Sequence, residues 1–500
     1  VAGLLIVRQA ELARQQAAQA QATADFLERT LIDANIDSDS AGDDSLSALL
    51  ERAEPRIDAE LKPYPQVRAR VRLLLALAFD SLGRLEDSRR LHRLALDEAE
   101  EHFGAQSSQF GWALVGVANT DTAPGSEERL ELLGRARAIF ERNHGPRSRQ
   151  VMETLNLIGH ARTHAGDLEA GLEAYRQALG IATEVLGAED PWFATTLANV
   201  GSAERRLGRL EASIQSLRRA VDHYVDAEKE ETRTALSIRN NLAVALGDAG
   251  RLDEAEAEYR RLVELQRKKL GADHPGQAAT LTNLGRLLME RGRFEAAEKP
   301  IRRAAELLGK SEPETDFTRL AAEINLGTLR LELGDVDSAR RIYASARGTF
   351  LAQLGDSHAA TLRISWLLGE AERRRGSVGE ARRWLEMEAE GAQVSERHLA
   401  DRLLSRGRLA LDEGRPGRAL ELLEEALNVY RRHFEETDLR LLETLAEKNL
   451  AERGAEGEAE ESRGRLEALY RQLERKVPAG NWRLERLRPH LANPVTRAES

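Results

Sequence analysis

The sequence contains no cysteine and few aromatic residues, and both shortages narrow the possible classes of protein. Without cysteine, neither a disulfide framework nor a cysteine-based metal site can form. Aromatic residues make up 4% of the chain, so a core must be built mainly from aliphatic side chains, which suits closely packed helices. The net charge of −11 comes from interspersed acidic and basic residues, without the basic stripe that nucleic-acid binding requires. We therefore expect no nucleic-acid partner.

Catalytic signatures are absent as well. The chain has no glycine-rich phosphate loop, no protein-kinase motif, no His-Glu-x-x-His helix and no EF-hand loop. His160 and His164 lie four residues apart on one predicted helix and could in principle bind a metal, but the sequence places no further ligand beside them. We therefore predict no catalytic residue, no metal site and no cofactor in this chain.

What the chain does contain is a repeat. A Leu-Gly pair recurs eight and seven residues before a second glycine, here called the hinge glycine, as at Leu284, Gly285 and Gly292. The hinge glycines are Gly83, Gly125, Gly166, Gly208, Gly250, Gly292, Gly334, Gly376, Gly414 and Gly454. They are 38 to 42 residues apart, although the unit around Gly125 is degenerate. Such a period indicates a stacked array of one supersecondary unit.

Each unit shows two helical patterns separated by the hinge glycine, which ends the first helix. Small residues recur five and twelve positions after the hinge and allow two helices to approach closely. We therefore predict an all-α fold, a right-handed α-solenoid of about ten helix-turn-helix repeats over residues 66–476. The polar end beyond Arg453 is expected to cap the array. Pro300, inside a second helix, predicts a kink or a late helix start near Glu298.

The N-terminal region precedes the repeats. Residues 1–7 are entirely apolar and stop at Arg8, which favours the end of a truncated transmembrane helix over an ordinary apolar turn. Residues 8–65 read as a juxtamembrane helix followed by a short amphipathic helix, and residues 477–500 as a C-terminal tail.

The repeat resembles a known family. Asn283, Leu284, Gly285, Gly292 and Ala297 are spaced as in the tetratricopeptide repeat. The longer unit of about 42 residues, with its Leu-Gly-Ala-Asp-His-Pro connection at residues 270–275, is similar to the repeats of kinesin light chain. This resemblance implies a concave groove lined by the first helices and a partner that is a protein or an extended peptide.

A second resemblance covers less of the chain. The apolar end, the following Ala- and Gln-rich segment, residues 24–27 and residues 52–61 look like the C-terminal region of bacterial membrane-bound Ser/Thr protein kinases. It implies a sensory or interaction region anchored in the inner membrane, with the repeats in the periplasm and the kinase domain outside this chain. Two alternatives stay open: the interaction half of another signalling or regulatory protein, and a soluble cytoplasmic scaffold.

The resemblance also assigns groove-facing residues to the first helices. The predicted peptide-binding positions are Asn199, Arg205, Arg206, Asn240, Asn241, Asn283, Arg286, Glu290, Asn325, Trp366 and Arg373. Glu332 and Glu370 are assigned to the same face. Asparagine can hold a peptide backbone of any sequence, and arginine pairs with carboxylates. The asparagines could equally bond only to a neighbouring helix, and the arginines could be ordinary surface charges.

Overall fold

A computed structural model describes residues 43–187, 190–309, 317–388, 394–433, 438–456 and 460–491. Within these ranges the chain forms twenty-two α-helices and two short 3-10 turns, with no β-strand. The prediction of an all-α fold is therefore confirmed. The apolar residues 1–7 and the predicted helix over residues 8–36 lie outside the described residues.

The chain divides into two compact units, Val1–Glu228 and Lys229–Ser500, here called the N-terminal and C-terminal units. The N-terminal unit contains one leading helix and four helix pairs. Its helices are α1 (Asp43–Glu60), α2 (Pro65–Ser81), α3 (Leu85–Phe103), α4 (Ser108–Thr120), α5 (Glu127–His144), α6 (Arg149–His164), α7 (Leu168–Val185), α8 (Pro191–Arg206) and α9 (Leu210–Asp226). Helix α1 corresponds to the predicted short amphipathic helix.

The C-terminal unit contains six helix pairs and one short helix after them. Its helices are α10 (Arg233–Asp248), α11 (Leu252–Leu270), α12 (Ala278–Glu290), α13 (Phe294–Leu308), α14 (Phe317–Glu332), α15 (Val336–Leu354), α16 (Ala359–Arg374), α17 (Val378–Leu385), α18 (Glu396–Asp412), α19 (Pro416–His433), α20 (Leu439–Glu456), α21 (Glu460–Glu474) and α22 (Trp482–Leu487). The 3-10 turns are Pro275–Gln277 and Arg488–His490. The two units together contain ten helix pairs, as the repeat period predicts.

Eight of the hinge glycines adopt the left-handed conformation that ends a first helix. Gly292, for example, has φ +71°, and the amide of the next residue, Arg293, donates to the Leu288 carbonyl at 2.9 Å. This bond satisfies a carbonyl that the helix end would otherwise leave without a donor. The hinge therefore closes the first helix and starts the second within three residues.

The two helices of a pair touch where the first helix carries a glycine seven residues before the hinge. A Cβ on any of six such glycines would lie 2.2–2.9 Å from the side chain nine residues after the hinge. The pairs are Gly159 with Tyr175, Gly201 with Leu217, Gly285 with Ile301, Gly327 with Tyr343, Gly369 with Leu385 and Gly407 with Leu423. This close approach explains why the glycine recurs at the same place in six repeats, because even a methyl group there would push the helices apart.

The predicted small residues after the hinge are buried. They are Ala255, Ala297, Ala339, Ala381 and Ala419 at the fifth position, and Ala178, Ala220, Ala304, Ala346 and Ala426 at the twelfth. Each has at most 1% of its surface exposed. Since alanine fills little volume, large side chains such as Tyr259 and Tyr343 occupy the space between successive helices.

Two sequence-based expectations about the helix ends are wrong. Gly454 lies inside α20, which continues to Glu456, so it is not a hinge. Helix α13 begins at Phe294 rather than near Glu298, so the predicted late start is wrong, whereas a kink at Pro300 stays a prediction. Pro300 removes one backbone hydrogen bond, but its ring is buried within the helix face that packs inwards, and burial of apolar surface favours this position.

Candidate functional site

Charged side chains recur at two positions of the first helices in the C-terminal unit. These positions lie six and two residues before the hinge glycine, and most helix pairs of the unit have charges there. These positions, together with Glu443 and Glu447 of α20, which contact Arg408, define what we call the groove face. Its charged members are Asp248, Arg286, Glu290, Glu332, Glu370, Arg374, Arg408, Asp412, Glu443 and Glu447. Residues four apart on a helix point to the same side, so each helix presents its pair in one direction.

The first helices of the C-terminal unit face one another across this groove. Arg397 of α18 donates to Glu290 of α12 at 2.8 Å, although the two residues are 107 positions apart. Arg440 of α20 lies 4.0 Å from the same carboxylate. A first helix and its third and fourth successors along the array therefore meet within one side-chain length.

Buried guanidinium groups pair with the carboxylates of the groove. Arg373 donates from two nitrogens to both oxygens of Glu370, at 2.8 and 2.9 Å, and from its third nitrogen to Asp412 at 2.7 Å. Arg408 donates to Glu447 at 3.1 Å and also pairs with Glu443. Bidentate pairs of this kind are directional as well as strong.

We call eight of these side chains the groove cluster: Glu332, Glu370, Arg373, Arg374, Arg408, Asp412, Glu443 and Glu447. Five carboxylates and three guanidinium groups give the cluster a formal charge of −2. Most of its members are buried, so their charges are not screened by water as surface charges are.

Against the effect of burial, the arginines around the cluster lower the pKa values of Glu332, Glu370 and Glu447. Burial alone would raise the pKa of Glu370, but Arg373, Arg408 and Arg374 outweigh it and lower the pKa to about 2. Burial likewise opposes the charge of Glu332, and Arg483 and Arg374 hold its pKa below the ordinary value. Burial lowers the pKa of Arg374 to about 10, against the opposing effect of the two glutamates, so the guanidinium is still charged at pH 7.

The C-terminal segment runs into this groove. The Trp482 indole nitrogen donates to Glu332 at 3.1 Å. The guanidinium groups of Arg374 and Arg408 lie 4.3 and 4.9 Å from the centre of the Trp482 ring. Side chains of α14, α16 and α18 thus hold one indole by a hydrogen bond to its edge and by cation–π contacts.

Two arginines of α22 complete the pairing of the cluster. Arg483 donates to Glu332 at 3.1 Å and lies 2.9 Å from Glu443. Arg486 donates to both oxygens of Glu447, at 2.9 and 3.1 Å, and to Asp412 at 2.8 Å. Together they add two positive charges to the groove cluster, whose formal charge is −2. The cluster and these two arginines therefore have no net formal charge.

The chain that leads to α22 passes close to a hinge. A Cβ on Gly292 would lie 2.0 Å from the backbone oxygen of Lys476 and 3.2 Å from Val477. Val477, Leu484 and Leu487 are buried. The segment from Lys476 to His490, here called the tail, is therefore in contact with α13, α14, α16, α18 and α20.

The predicted groove residues of the N-terminal unit lie on α8. The half-buried Asn199 donates to Asn156 at 3.0 Å, and Asn156 donates to Thr196 at 3.0 Å. This asparagine therefore bonds to a neighbouring first helix, which is the alternative interpretation of its role. Arg205 is half-buried and Arg206 is exposed.

The predicted asparagines of the C-terminal unit behave similarly. Asn283 donates to Asn240 of the preceding first helix at 3.4 Å, and Asn240, Asn241, Asn283 and Asn325 are all half-buried. Arg286 donates to Glu290 at 2.9 Å on the groove face. Burial opposes the charge of Glu290, but Arg286, Arg440 and Arg397 hold its pKa below the ordinary value.

The predicted assignment of Trp366 to the groove is wrong, because its side chain is buried and not available to a ligand. Its ring is buried against Leu362, Leu385 and Leu409, and its indole nitrogen donates to the Met387 carbonyl at 3.1 Å. A large apolar ring gains more from this cavity between helices than from solvent. Arg373, in contrast, does lie in the groove cluster, but it is buried and paired with Glu370 and Asp412 rather than free at a surface.

His160 and His164 occupy, on α6, the positions that carry charges in the C-terminal unit. Their rings lie 4.3 Å apart. Burial, His164, Arg129 and Arg206 lower the pKa of His160, which favours the neutral imidazole. Within the described ranges, no three His, Asp or Glu side chains form a group that could hold a metal ion.

Sequence reasoning missed Arg408, Asp412, Glu443 and Glu447 as groove residues, together with the tail that meets them. The signal for Arg408 and Asp412 was present, since they lie six and two residues before the hinge Gly414, as Arg286 and Glu290 do before Gly292. No local pattern marks the tail as the partner of this face.

The paired helices and the groove define a helical-repeat scaffold. Family profiles described as tetratricopeptide repeat match residues 150–224 and 234–310, and a second set matches residues 200–267 and 324–395. Residues 150–310 and 324–395 thus carry tetratricopeptide repeats. Stacked repeats of this kind form extended concave surfaces. No curated protein sequence matches the chain.

Several solved structures share the fold. The apo form of RapI is 12% identical, with a TM-score of 0.57, and the match covers 73% of this chain and 98% of that one. The apo form of the quorum sensor NprR from B. thuringiensis is 14% identical, with a TM-score of 0.52 and coverage of 72% and 98%. Kinesin-light-chain-like repeats from Podosopora anserina are 19% identical, with a TM-score of 0.37 and coverage of 40% and 95%. The RapI and NprR matches, with TM-scores above 0.5, indicate the fold alone, because their identities are low.

Among the residues that the structure describes, no helix is both long and apolar enough to cross a membrane.

Proposed function

We propose that this chain is a scaffold that binds a protein or peptide partner through the groove face of its C-terminal unit. One observation carries the proposal: side chains from α14, α16, α18 and α20 converge on a single short stretch of polypeptide, the tail. Helix α22 has six residues and is about 9 Å long, yet it meets four first helices. A groove that binds one segment through contacts from four helices is suited to bind another segment of similar chemistry.

The chemistry of the groove favours a cationic segment with an aromatic side chain. Five carboxylates outnumber three guanidinium groups, so basic side chains are attracted and acidic ones repelled. The guanidinium groups of Arg374 and Arg408 lie 4.3 and 4.9 Å from the centre of the Trp482 ring, where they suit cation–π contacts with an aromatic side chain. Arg206, Arg286 and Arg373 alone would favour an acidic peptide, because arginine pairs with carboxylates, but the excess of carboxylates in the groove cluster favours a basic one.

Peptide display against the full-length chain tests the proposal. Peptides selected on the wild type should bind at least about tenfold more weakly to the double variant Glu332→Gln, Glu443→Gln, because it removes two groove charges without changing side-chain size. The matched control is Glu264→Gln, Glu421→Gln, which removes two exposed charges from second helices of the same unit. Equal binding of the selected peptides to all three proteins would place the interaction elsewhere.

We further propose that this scaffold is the interaction region of a membrane-tethered bacterial Ser/Thr protein kinase, anchored in the inner membrane with its repeats in the periplasm. The apolar residues 1–7 and the resemblance at residues 24–27 and 52–61 support this context. Reading the coding sequence upstream of Val1 tests it. A full apolar span preceded by kinase motifs is expected; another effector domain, or a start codon immediately before Val1, would contradict it and favour another signalling protein or a cytoplasmic scaffold.

A further inference from the structure

We propose that the tail is a built-in competitor for the groove, and that the partner must displace it by presenting the same chemistry. That chemistry is an indole, a guanidinium group at the next residue and a second one three residues later, as in Trp482, Arg483 and Arg486. The inference rests on the proposed function, because it names the ligand class and the regulation of the same groove.

The tail is an addition to the array rather than one of its repeats. Helices α20 and α21 already form the tenth pair, with Leu466 and Leu473 of α21 buried. The tail leaves the end of α21 and returns to helices more than 100 positions earlier in the chain, as the Trp482–Glu332 bond shows. It therefore occupies the face that the repeats leave open after they have packed on one another.

The groove cluster needs donors of the kind that the tail supplies. The hydrogen bonds that Glu332 accepts in the described structure all come from Trp482 and Arg483. With the tail in place only 13% of this side chain is exposed, and removing the tail would open it to water and take away those donors. Since the remaining cluster has more carboxylates than guanidinium groups, an open groove will favour a replacement of equivalent chemistry.

The tail can leave without unfolding the repeats. A six-residue helix is too short to be stable alone, so α22 depends on its contacts with the groove. It is joined to α21 through Pro478 and Gly480, and Gly480 has φ +81°. Such a segment can detach as a local unit at a lower free energy than global unfolding.

The test uses a fluorescent peptide of residues 479–491 and measures its binding to full-length proteins by anisotropy. The tether gives the intramolecular tail a high effective concentration, so the wild type should bind the peptide weakly. The variant Trp482→Ala, Arg483→Ala weakens the tail but keeps the groove, and should bind at least about tenfold more tightly. Adding Glu332→Gln and Glu443→Gln to this variant should abolish the gain.

Two glycine variants, one that displaces the tail and one matched control, test the inference independently. Gly292→Ala places a methyl group where the Lys476 backbone passes, and should increase peptide affinity because the peptide omits Lys476. Gly334→Ala is the matched control. Gly334 has φ +87°, which makes alanine similarly strained, but nothing lies within 4 Å of its Cβ position. It should bind the peptide as weakly as the wild type. Circular dichroism and thermal unfolding confirm that each variant is folded.

Several outcomes would overturn the inference. Equal affinities in the wild type and in both released variants would show that the tail does not compete. No binding to folded, released variants would make the tail a structural cap, and if displayed peptides still depend on Glu332 and Glu443, the proposed function survives. Dimers of the wild type that disappear in both released variants would identify a second copy, not a separate partner, as the occupant.

Discussion

The two units use one scaffold but present different chemistry from the same repeat positions. Six and two residues before the hinge, the N-terminal unit carries His160 and His164 on α6, and Ser202 and Arg206 on α8. The C-terminal unit carries charged residues at most of these positions, and several of them belong to the groove cluster. The difference shows that a few positions on each first helix set the chemistry of the groove face.

The packing beneath these positions does not differ. Glycines seven residues before the hinge meet a large side chain nine residues after it in both units, as Gly201 meets Leu217 and Gly369 meets Leu385. Because the helix–helix contact uses one set of positions and the groove another, the ligand chemistry can change without disturbing the fold.

The largest effect on this comparison should come from removing the end of the C-terminal unit. Deleting residues beyond Arg453 removes α21 and the tail and exposes apolar side chains of α20, including Leu442 and Leu450. The loss of buried Leu466 and Leu473 alone corresponds to about 3 kcal/mol or more. We expect aggregation or a clearly lower Tm in circular dichroism. A monomeric sizing profile with an unchanged melting curve would refute the capping role.

A buried groove arginine should matter far more than the exposed arginine at a groove position of the other unit. Arg408→Ala removes a guanidinium group that contacts Glu443, Glu447 and the Trp482 ring, and leaves two carboxylates poorly compensated. We expect a loss of about 3–5 kcal/mol in the free energy of unfolding. The control Arg206→Ala, at an exposed site, should cost under about 0.5 kcal/mol. Similar urea midpoints for the two variants would show that the cluster does not stabilise the unit.

Acid should destabilise the C-terminal unit through the carboxylates of the groove cluster, and so distinguish it from the N-terminal unit. The pKa values of Glu332, Glu370 and Glu447 lie below their ordinary range, with Glu370 at about 2. A lowered pKa in the folded state gives stability that is fully present above the unfolded pKa of about 4.3 and is lost as the pH falls towards 2. We expect hydrogen exchange to show a steep loss of protection in α14, α16 and α20 over this interval.

Histidines give a separate effect at higher pH. Burial lowers the pKa values of His92 and His160 in the N-terminal unit, and lowers that of His398 in the C-terminal unit to about 4. Their contribution is present above pH 6.5 and declines below it. Protection in α3 and α6 should therefore begin to fall before the carboxylates titrate. If α6 and α14 lost protection together only below pH 4.5, the assignment of the two groups would be wrong.

The smallest effect concerns the edge of the groove. Asn283→Ala with Arg286→Ala removes a 3.4 Å hydrogen bond and an ion pair whose arginine is 41% exposed, so we expect at most about 1 kcal/mol of destabilisation. If the partner contacts this part of the groove face, its binding should weaken about tenfold or more while the melting curve is nearly unchanged. Full binding by this double variant would restrict the site to the groove cluster.

The fold could be predicted from the sequence because the repeat period, the hinge glycines and the small residues are local patterns. Gly454 was misassigned because spacing alone does not distinguish a hinge from a glycine inside a helix. Trp366 was misassigned because its register position does not reveal the apolar cavity beside it. The groove was predicted in part, through Glu290 and Arg373. The tail could not be, because its contacts join residues far apart in sequence.

The separation of Trp482 from Glu332 by 150 positions also has a consequence for synthesis. Contacts within and between neighbouring repeats are local, so the array can fold progressively as it leaves the ribosome, whereas closing so long a loop is entropically unfavourable and comes late. The last residue of the groove cluster, Glu447, precedes Trp482 by 35 positions, so at about 5–20 residues per second the tail follows the completed groove by about 2–7 s. During that interval each newly made chain exposes an unoccupied groove, and a partner present at the ribosome would meet no competitor.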